Sequence, residues 1–132
     1  MSAEAFFDTN ILVYLDSDDL AKARRSGDIL MRGGVISVQV LNEFANVARG
    51  KQKADWDTIR GRLMKFRATL RVEPLTEATH ALGLDLAERH GFSVYDSMIV
   101  AAAQLAGCAT LFNEDMHDGL VLGPLTIRNP YG

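Results

Sequence analysis

The chain is poor in cysteine, proline and histidine. Its 132 residues hold one cysteine, three prolines and three histidines. Cys108 alone excludes an internal disulfide and a thiolate metal cluster, and it fits a reducing cytosol, so a cytoplasmic location is expected. No Pro-rich linker, internal repeat or low-complexity tract divides the chain, and residues 1–132 are expected to form a single domain. The longest apolar stretch, Met98 to Gly107, is broken by Gln104 and is too short to cross a bilayer, so no membrane role is expected. The start, Met-Ser-Ala-Glu-Ala-Phe-Phe-Asp, lacks the basic and long apolar regions of a secretory signal. What remains, 48% hydrophobic and 23% charged residues, is the composition of a folded soluble domain.

The net charge of −3 argues against a nucleic-acid binder, but its distribution does not. Residues 22–71 carry twelve of the fourteen Lys and Arg against four acids, a net +8, which leaves −11 for the rest. A basic face beside an acidic pocket suits a polyanionic substrate and a cation-assisted reaction; solvated helix faces would give the same asymmetry.

Hydrophobic patterning outlines alternating strands and helices. Residues 4–8 read as a short buried strand, after which the chain turns through Asn10–Asp16. Asp18 and Asp19 open a helix to about Met31, stopped by Gly33-Gly34. Val35-Ile36-Ser37 is a second strand, and Ser37 is placed to cap a helix from Gln39 to about Arg49. Asp55–Arg71 forms a helix with Trp56, Ile59, Leu63, Phe66 and Leu70 in one sector. Val72–Leu75 reads as an extended link. Thr76 caps a helix to about His90, and Ser93 opens one that runs to Ala106. Ala109–Phe112 is a strand, and Leu125–Arg128 another. This alternation predicts an α/β fold, a central and mainly parallel sheet with helices on both faces.

Four carboxylates stand out against that pattern: Asp8, Glu43, Asp96 and Asp115. Asp8 ends the apolar run Ala5-Phe6-Phe7, and Asp115 lies just beyond Ala109–Phe112. In parallel α/β sheets, ligands bind at the carboxyl ends of the strands. Glu43 falls about 40° from Val47 and about 60° from Val40 on its helix, at the edge of the core stripe. Asp96 falls about 20° from Ala103 and about 40° from Val100, on a face expected to be buried. Each acid alone has a simpler reading. Asp96 could complete a capping box with Ser93, Glu43 could pair with a buried arginine, and Asp8 could bond the amides of Thr9 and Asn10. Together they point to one compensating agent, a divalent cation, because carboxylates near a core are costly without one.

These residues also carry a resemblance. Phe7-Asp8-Thr9-Asn10-Ile11-Leu12-Val13-Tyr14, Ser37-Val38-Gln39-Val40-Leu41-Asn42-Glu43-Phe44, Tyr95-Asp96-Ser97-Met98-Ile99-Val100-Ala101-Ala102-Ala103 and Leu111-Phe112-Asn113-Glu114-Asp115-Met116-His117-Asp118-Gly119 resemble, in this order, the PIN domain. Length and order are similar to the single-domain VapC-type toxins of bacterial toxin–antitoxin pairs. The resemblance implies a compact α/β/α sandwich and a metal-dependent endoribonuclease that leaves a 5′-phosphate and a 3′-hydroxyl. It implies Asp8, Glu43, Asp96 and Asp115 as the acidic quartet, with Asp8, Asp96 and Asp115 as metal ligands and Glu43 and Asp118 as further candidates. The family often has Thr or Ser where Asn113 stands, and Glu114 and Asp118 compete with Asp115 for the fourth place. Asn10, Ser37, Asn113 and Ser97 are candidates to orient carboxylates or waters.

Carboxylate oxygens without His or Cys favour Mg²⁺ or Mn²⁺ over zinc. One or two ions would hold the scissile phosphate and activate a water. The implied partners are RNA, a cognate antitoxin protein and a second copy of the chain in a homodimer or toxin–antitoxin hetero-oligomer. Basic residues of 49–71 suit either RNA phosphates or an antitoxin's acidic segment. Tyr14 and Trp56 could stack on bases, though the stripe places Trp56 in core or dimer packing, and His117 reads as a surface histidine. Other readings are a non-toxin nuclease of the same family, or a binding module that keeps the pocket as structure. A haloacid-dehalogenase-type phosphatase would need Asp where Asn10 stands, and a receiver domain would need an acidic pair after the first strand and a lysine in the last loop.

Overall fold

The apolar runs that end at Asp8, Ser37 and Asn113 fold as neighbouring strands. The structure, a computed structural model, describes residues 4–132. Along the chain it contains β1 (Ala5–Phe7), α1 (Thr9–Val13), α2 (Leu20–Met31), β2 (Val35–Ser37), α3 (Val38–Gly50) and α4 (Trp56–Thr69). Then follow β3 (Arg71–Glu73), α5 (Glu77–His90), α6 (Val94–Leu105), β4 (Thr110–Phe112), β5 (Val121–Leu122) and β6 (Leu125–Arg128). The strands form one sheet in the order β3-β2-β1-β4-β6-β5, parallel throughout except for the β5–β6 pair.

Successive residues of a strand point to opposite faces of its sheet. Phe6 and Phe7 are adjacent in β1 and both fully buried, as are Val35 and Ile36 in β2. Both faces of the central strands are therefore covered, which is the expected α/β/α layering. Helix α6 is buried continuously from Ser97 to Ala103 and packs on α5, β2 and β4. No helix among the described residues is long and apolar enough to cross a membrane.

Strand order positions the site. The chain steps from β1 outward to β2 and β3, then returns to place β4 on the other side of β1. The loops that leave β1 and β4 diverge at this reversal and leave a crevice at the strands' carboxyl ends. Asp8 and Asn113 stand there, one residue past β1 and β4. The Asp8 amide donates to the Phe112 carbonyl (3.1 Å) and the Asn113 amide to the Arg128 carbonyl (3.0 Å), which fixes both positions to the sheet.

Several local expectations are met. Asp19, Ser37, Thr76 and Ser93 cap α2, α3, α5 and α6 by accepting backbone N–H groups, and Gly91 ends α5 in the left-handed conformation that glycine adopts freely. Others are corrected. Asn10–Asp16 is helical, with α1 followed by a 3₁₀ turn at Tyr14–Asp16, because Asp8 caps the segment and Ile11 and Leu12 are buried. The helix expected to reach Arg71 ends at Thr69, and Arg71–Glu73 is edge strand β3, in register with β2 and anchored by Arg71 to Glu4 and Glu73. Trp56 leaves the core stripe: it opens α4, is half-exposed and carries the Arg49 guanidinium over its ring. Two-residue β5 is too short for any periodic signal.

Candidate functional site

Asp8 is the buried centre of the crevice, 5% exposed. As the N-cap of α1 it accepts the Thr9 amide at Oδ1 (2.6 Å), and the Asn113 side chain donates to Oδ2. Burial pushes its carboxyl up to about 7; the Thr9 amide opposes this, and the charges of Glu43, Asp96 and Asp115 add to it. Those repulsions bring all four sequence-selected acids into one electrostatic neighbourhood. Their burial is not uniform: Glu43, at the edge of its core stripe, and Asp96 are half-buried, and Asp115, in the loop after β4, is exposed.

The hydrogen-bond partners that orient these acids are neutral. Glu43 accepts the Thr9 hydroxyl and the Gln39 amide, each at 2.9 Å. Asp115 accepts the Asn10 amide at 2.8 Å. None of the four acids forms an ion pair with Lys or Arg among the described residues. Glu43 thus lacks the buried arginine that would make it structural. Asp96 does not close a capping box either: Ser93 accepts its backbone amide (3.1 Å), and the carboxylate returns no hydrogen bond. Neutral donors fix a carboxylate's direction and leave its charge uncompensated, which is the state a cation would relieve.

The loop after β4 holds three acids with different surroundings. Glu114 pairs with Lys22 (2.7 Å) and accepts the Tyr14 hydroxyl (2.7 Å), and its carboxyl is lowered, chiefly by Lys22. Asp118 turns away and accepts the Asn129 amide (2.9 Å). Asp115 alone faces Asn10. Asn113 organises the loop, since its carbonyl accepts the amides of Asp115 (2.7 Å) and Met116 (2.6 Å). Ser37 is buried and spends its hydroxyl on the Val40 amide (3.3 Å), so it reaches Glu43 only through the helix it caps. Ser97 is fully buried, and its hydroxyl makes no hydrogen bond. His117 is exposed.

Thr9 and Gln39 are absent from the set that motif spacing selects, yet they hold Glu43. Gln39 stands four residues before Glu43 on α3, a spacing that makes side chains neighbours. Thr9 shows no such signal, because its contact depends on how α1 meets α3.

The acidic donor set suits a hard divalent cation. As the side chains stand, no three potential ligands among the described residues are close enough together to hold an ion outright. Three acids without a cationic partner around the raised carboxyl of Asp8 nevertheless fit such an ion chemically.

Residues 5–118 match the family model described as the PIN domain. The chain belongs to the PIN domain family. No curated protein matches it. Among solved structures of the same fold, a toxin–antitoxin complex from Klebsiella pneumoniae superposes with a TM-score of 0.72 at 22% identity, over 96% of this chain and 98% of that one. VapC20 from Mycobacterium tuberculosis, a Sarcin–Ricin loop cleaving toxin, gives 0.68 at 17% identity, over 84% and 91%. FitAcB from Neisseria gonorrhoeae gives 0.66 at 18% identity, over 96% and 98%.

Proposed function

We propose that this chain is a Mg²⁺- or Mn²⁺-dependent endoribonuclease and the toxin of a toxin–antitoxin pair, with residues 1–132 acting as one domain. One observation carries the reading: Asp8 sits at the strand reversal with its carboxyl pushed up to about 7, in part by Glu43, Asp96 and Asp115. Asp8, Asp96 and Asp115 would hold the ion, with Glu43 beside them. When bound, the ion would neutralise charge on the scissile phosphate and its leaving oxygen.

The chain's own residues do the rest. Asn113 and the Thr9 amide fix both oxygens of Asp8. Gln39 and Thr9 aim Glu43, whose carboxylate can accept a proton from an attacking water. Asn10 directs Asp115. Asp118 is set aside as the fourth acid because its carboxylate is engaged with the Asn129 amide after β6.

The toxin role rests on the fold shared with toxin–antitoxin proteins. It carries with it a cytoplasmic location, a cognate antitoxin and a homodimer as proposals. The test is purified protein on RNA, with and without EDTA. Cleavage that requires Mg²⁺ or Mn²⁺, and that disappears in Asp8→Asn and Asp96→Asn, supports the reading; metal-independent cleavage or active variants overturn it. Growth arrest on induction, relieved by a small protein encoded immediately upstream, separates a toxin from a housekeeping nuclease.

A further inference from the structure

Beside Glu43 lies an open cleft of about 490 Å³, lined by Gln39, Asn42, Glu43, Asn46, Val47 and Tyr95. Its volume falls in the range of small-ligand sites, roughly 300–1,000 Å³. Two rows of α3 side chains form one wall: Gln39, Glu43 and Val47 at four-residue spacing, and Asn42 and Asn46 likewise. Gln39 commits an amide hydrogen to Glu43, while Asn42 and Asn46 are exposed. Tyr95, on the first turn of α6, is 68% exposed, far more than packing of an aromatic ring requires. It directly precedes Asp96.

The chemistry of this lining is selective. The lining holds no Lys, Arg or His and does hold the Glu43 carboxylate, so a phosphate is disfavoured there. An uncharged ring with donors and acceptors on its edge is favoured. Primary amides read such edges because each offers both a donor and an acceptor. Exposed aromatic rings supply the stacking surface on which unpaired RNA bases are held. The cleft shares Glu43 with the acidic site, and Tyr95 directly precedes Asp96 on α6.

We propose that this cleft is a base-recognition subsite: one unpaired nucleotide flanking the scissile phosphate stacks on Tyr95 and presents its edge to Asn42 and Asn46. The proposal rests on the ribonuclease reading and names what selects the cut site within it.

Two measurements test it. In the first, RNA of randomised, unstructured sequence is cleaved and the new ends are sequenced. Wild-type protein is expected to show a base preference at one position beside the cut. Asn42→Ala combined with Asn46→Ala should flatten that preference, and Tyr95→Ala should raise KM roughly tenfold, with recovery in Tyr95→Phe. In the second, short single-stranded oligonucleotides bind protein carrying Asp8→Asn, followed by fluorescence anisotropy. Adding Tyr95→Ala should weaken binding roughly tenfold. Folded variants that keep the wild-type preference and affinity overturn the proposal. So does Tyr95→Ala converting a dimer to a monomer in light scattering, because the face would then be covered by a second copy of the chain. If wild-type protein leaves RNA intact, the nuclease reading fails, and the oligonucleotide measurement still decides whether the cleft takes a base.

Discussion

The Asn113 side chain spans two parts of the site: its amide donates to Oδ2 of Asp8, and its carbonyl receives the backbone amides of Asp115 and Met116. One neutral side chain thus sets both the buried acid and the loop that carries the exposed one. Asn113→Ala should remove both functions and leave loop amides unpaired, at a cost of about 1–3 kcal/mol in denaturant unfolding. RNA cleavage should fall roughly 10–100-fold, the usual effect of losing a group that orients metal ligands. Asn113→Ser keeps a hydroxyl that can serve either partner, and should recover part of the activity. Full activity in Asn113→Ala would remove Asn113 from the site.

The raised carboxyl of Asp8 has a defined consequence for stability. Its value rises from 3.8 to about 7 in the folded chain, so the folded state holds that proton more tightly than the unfolded state. This group's contribution to stability is present in full at low pH, is lost as pH rises toward 7, and is flat above that. EDTA-treated protein should therefore lose about 2 kcal/mol from this group between pH 5.5 and 8. Asp8→Asn should reduce the loss and stabilise the EDTA-treated protein at pH 8. Mg²⁺ at a hundredfold excess over its Kd should restore about 2.7 kcal/mol to the wild type at pH 8. Thermal melts at the two pH values, with and without Mg²⁺, read all three effects; a pH-independent difference between wild type and Asp8→Asn would refute the assignment.

Asp115 and Asp118 lie three residues apart and are bonded to different parts of the fold, Asp115 to Asn10 on α1 and Asp118 to the Asn129 amide after β6. Asp115→Asn should abolish most cleavage with little change in melting temperature. Asp118→Asn should leave most cleavage intact and cost about 1 kcal/mol, because it weakens one backbone hydrogen bond. Turnover and melting temperature of the two variants check the split, and the reverse pattern would make Asp118 the fourth acid.

Asp8 was legible because a carboxylate ending a buried strand is costly, and Glu43 because it breaks the edge of an apolar stripe. Ser37, Thr76 and Ser93 were legible as caps because that signal is local. The depth of Asp96 was not, because helical phase gives a direction and no distance to solvent. Strand β3 was missed because three half-exposed residues at a sheet edge show no periodicity, and α1 because Asp8 both ends a strand and caps a helix. Trp56 shares the phase of Ile59 and Phe66 but opens its helix beyond the edge of the core. Thr9's hold on Glu43 spans 34 residues of sequence, and no spacing rule reaches that far.

Glu43 supplies the last prediction. Its oxygens are held separately, Oε1 by the Thr9 hydroxyl and Oε2 by the Gln39 amide. Thr9→Val keeps the side chain's shape and removes one donor; Gln39→Ala removes the other. Losing either lets the carboxylate turn about the remaining bond, so each single variant should lower kcat roughly tenfold with little change in KM. The double variant releases both oxygens. If the two donors act on one geometry, its loss in kcat should be smaller than the product of the single losses, since the second removal acts on a carboxylate already displaced. A double-mutant cycle on kcat measures this coupling directly. Independent, multiplicative losses would mean that Thr9 and Gln39 act through different groups, and Glu43 would no longer be their common point of action.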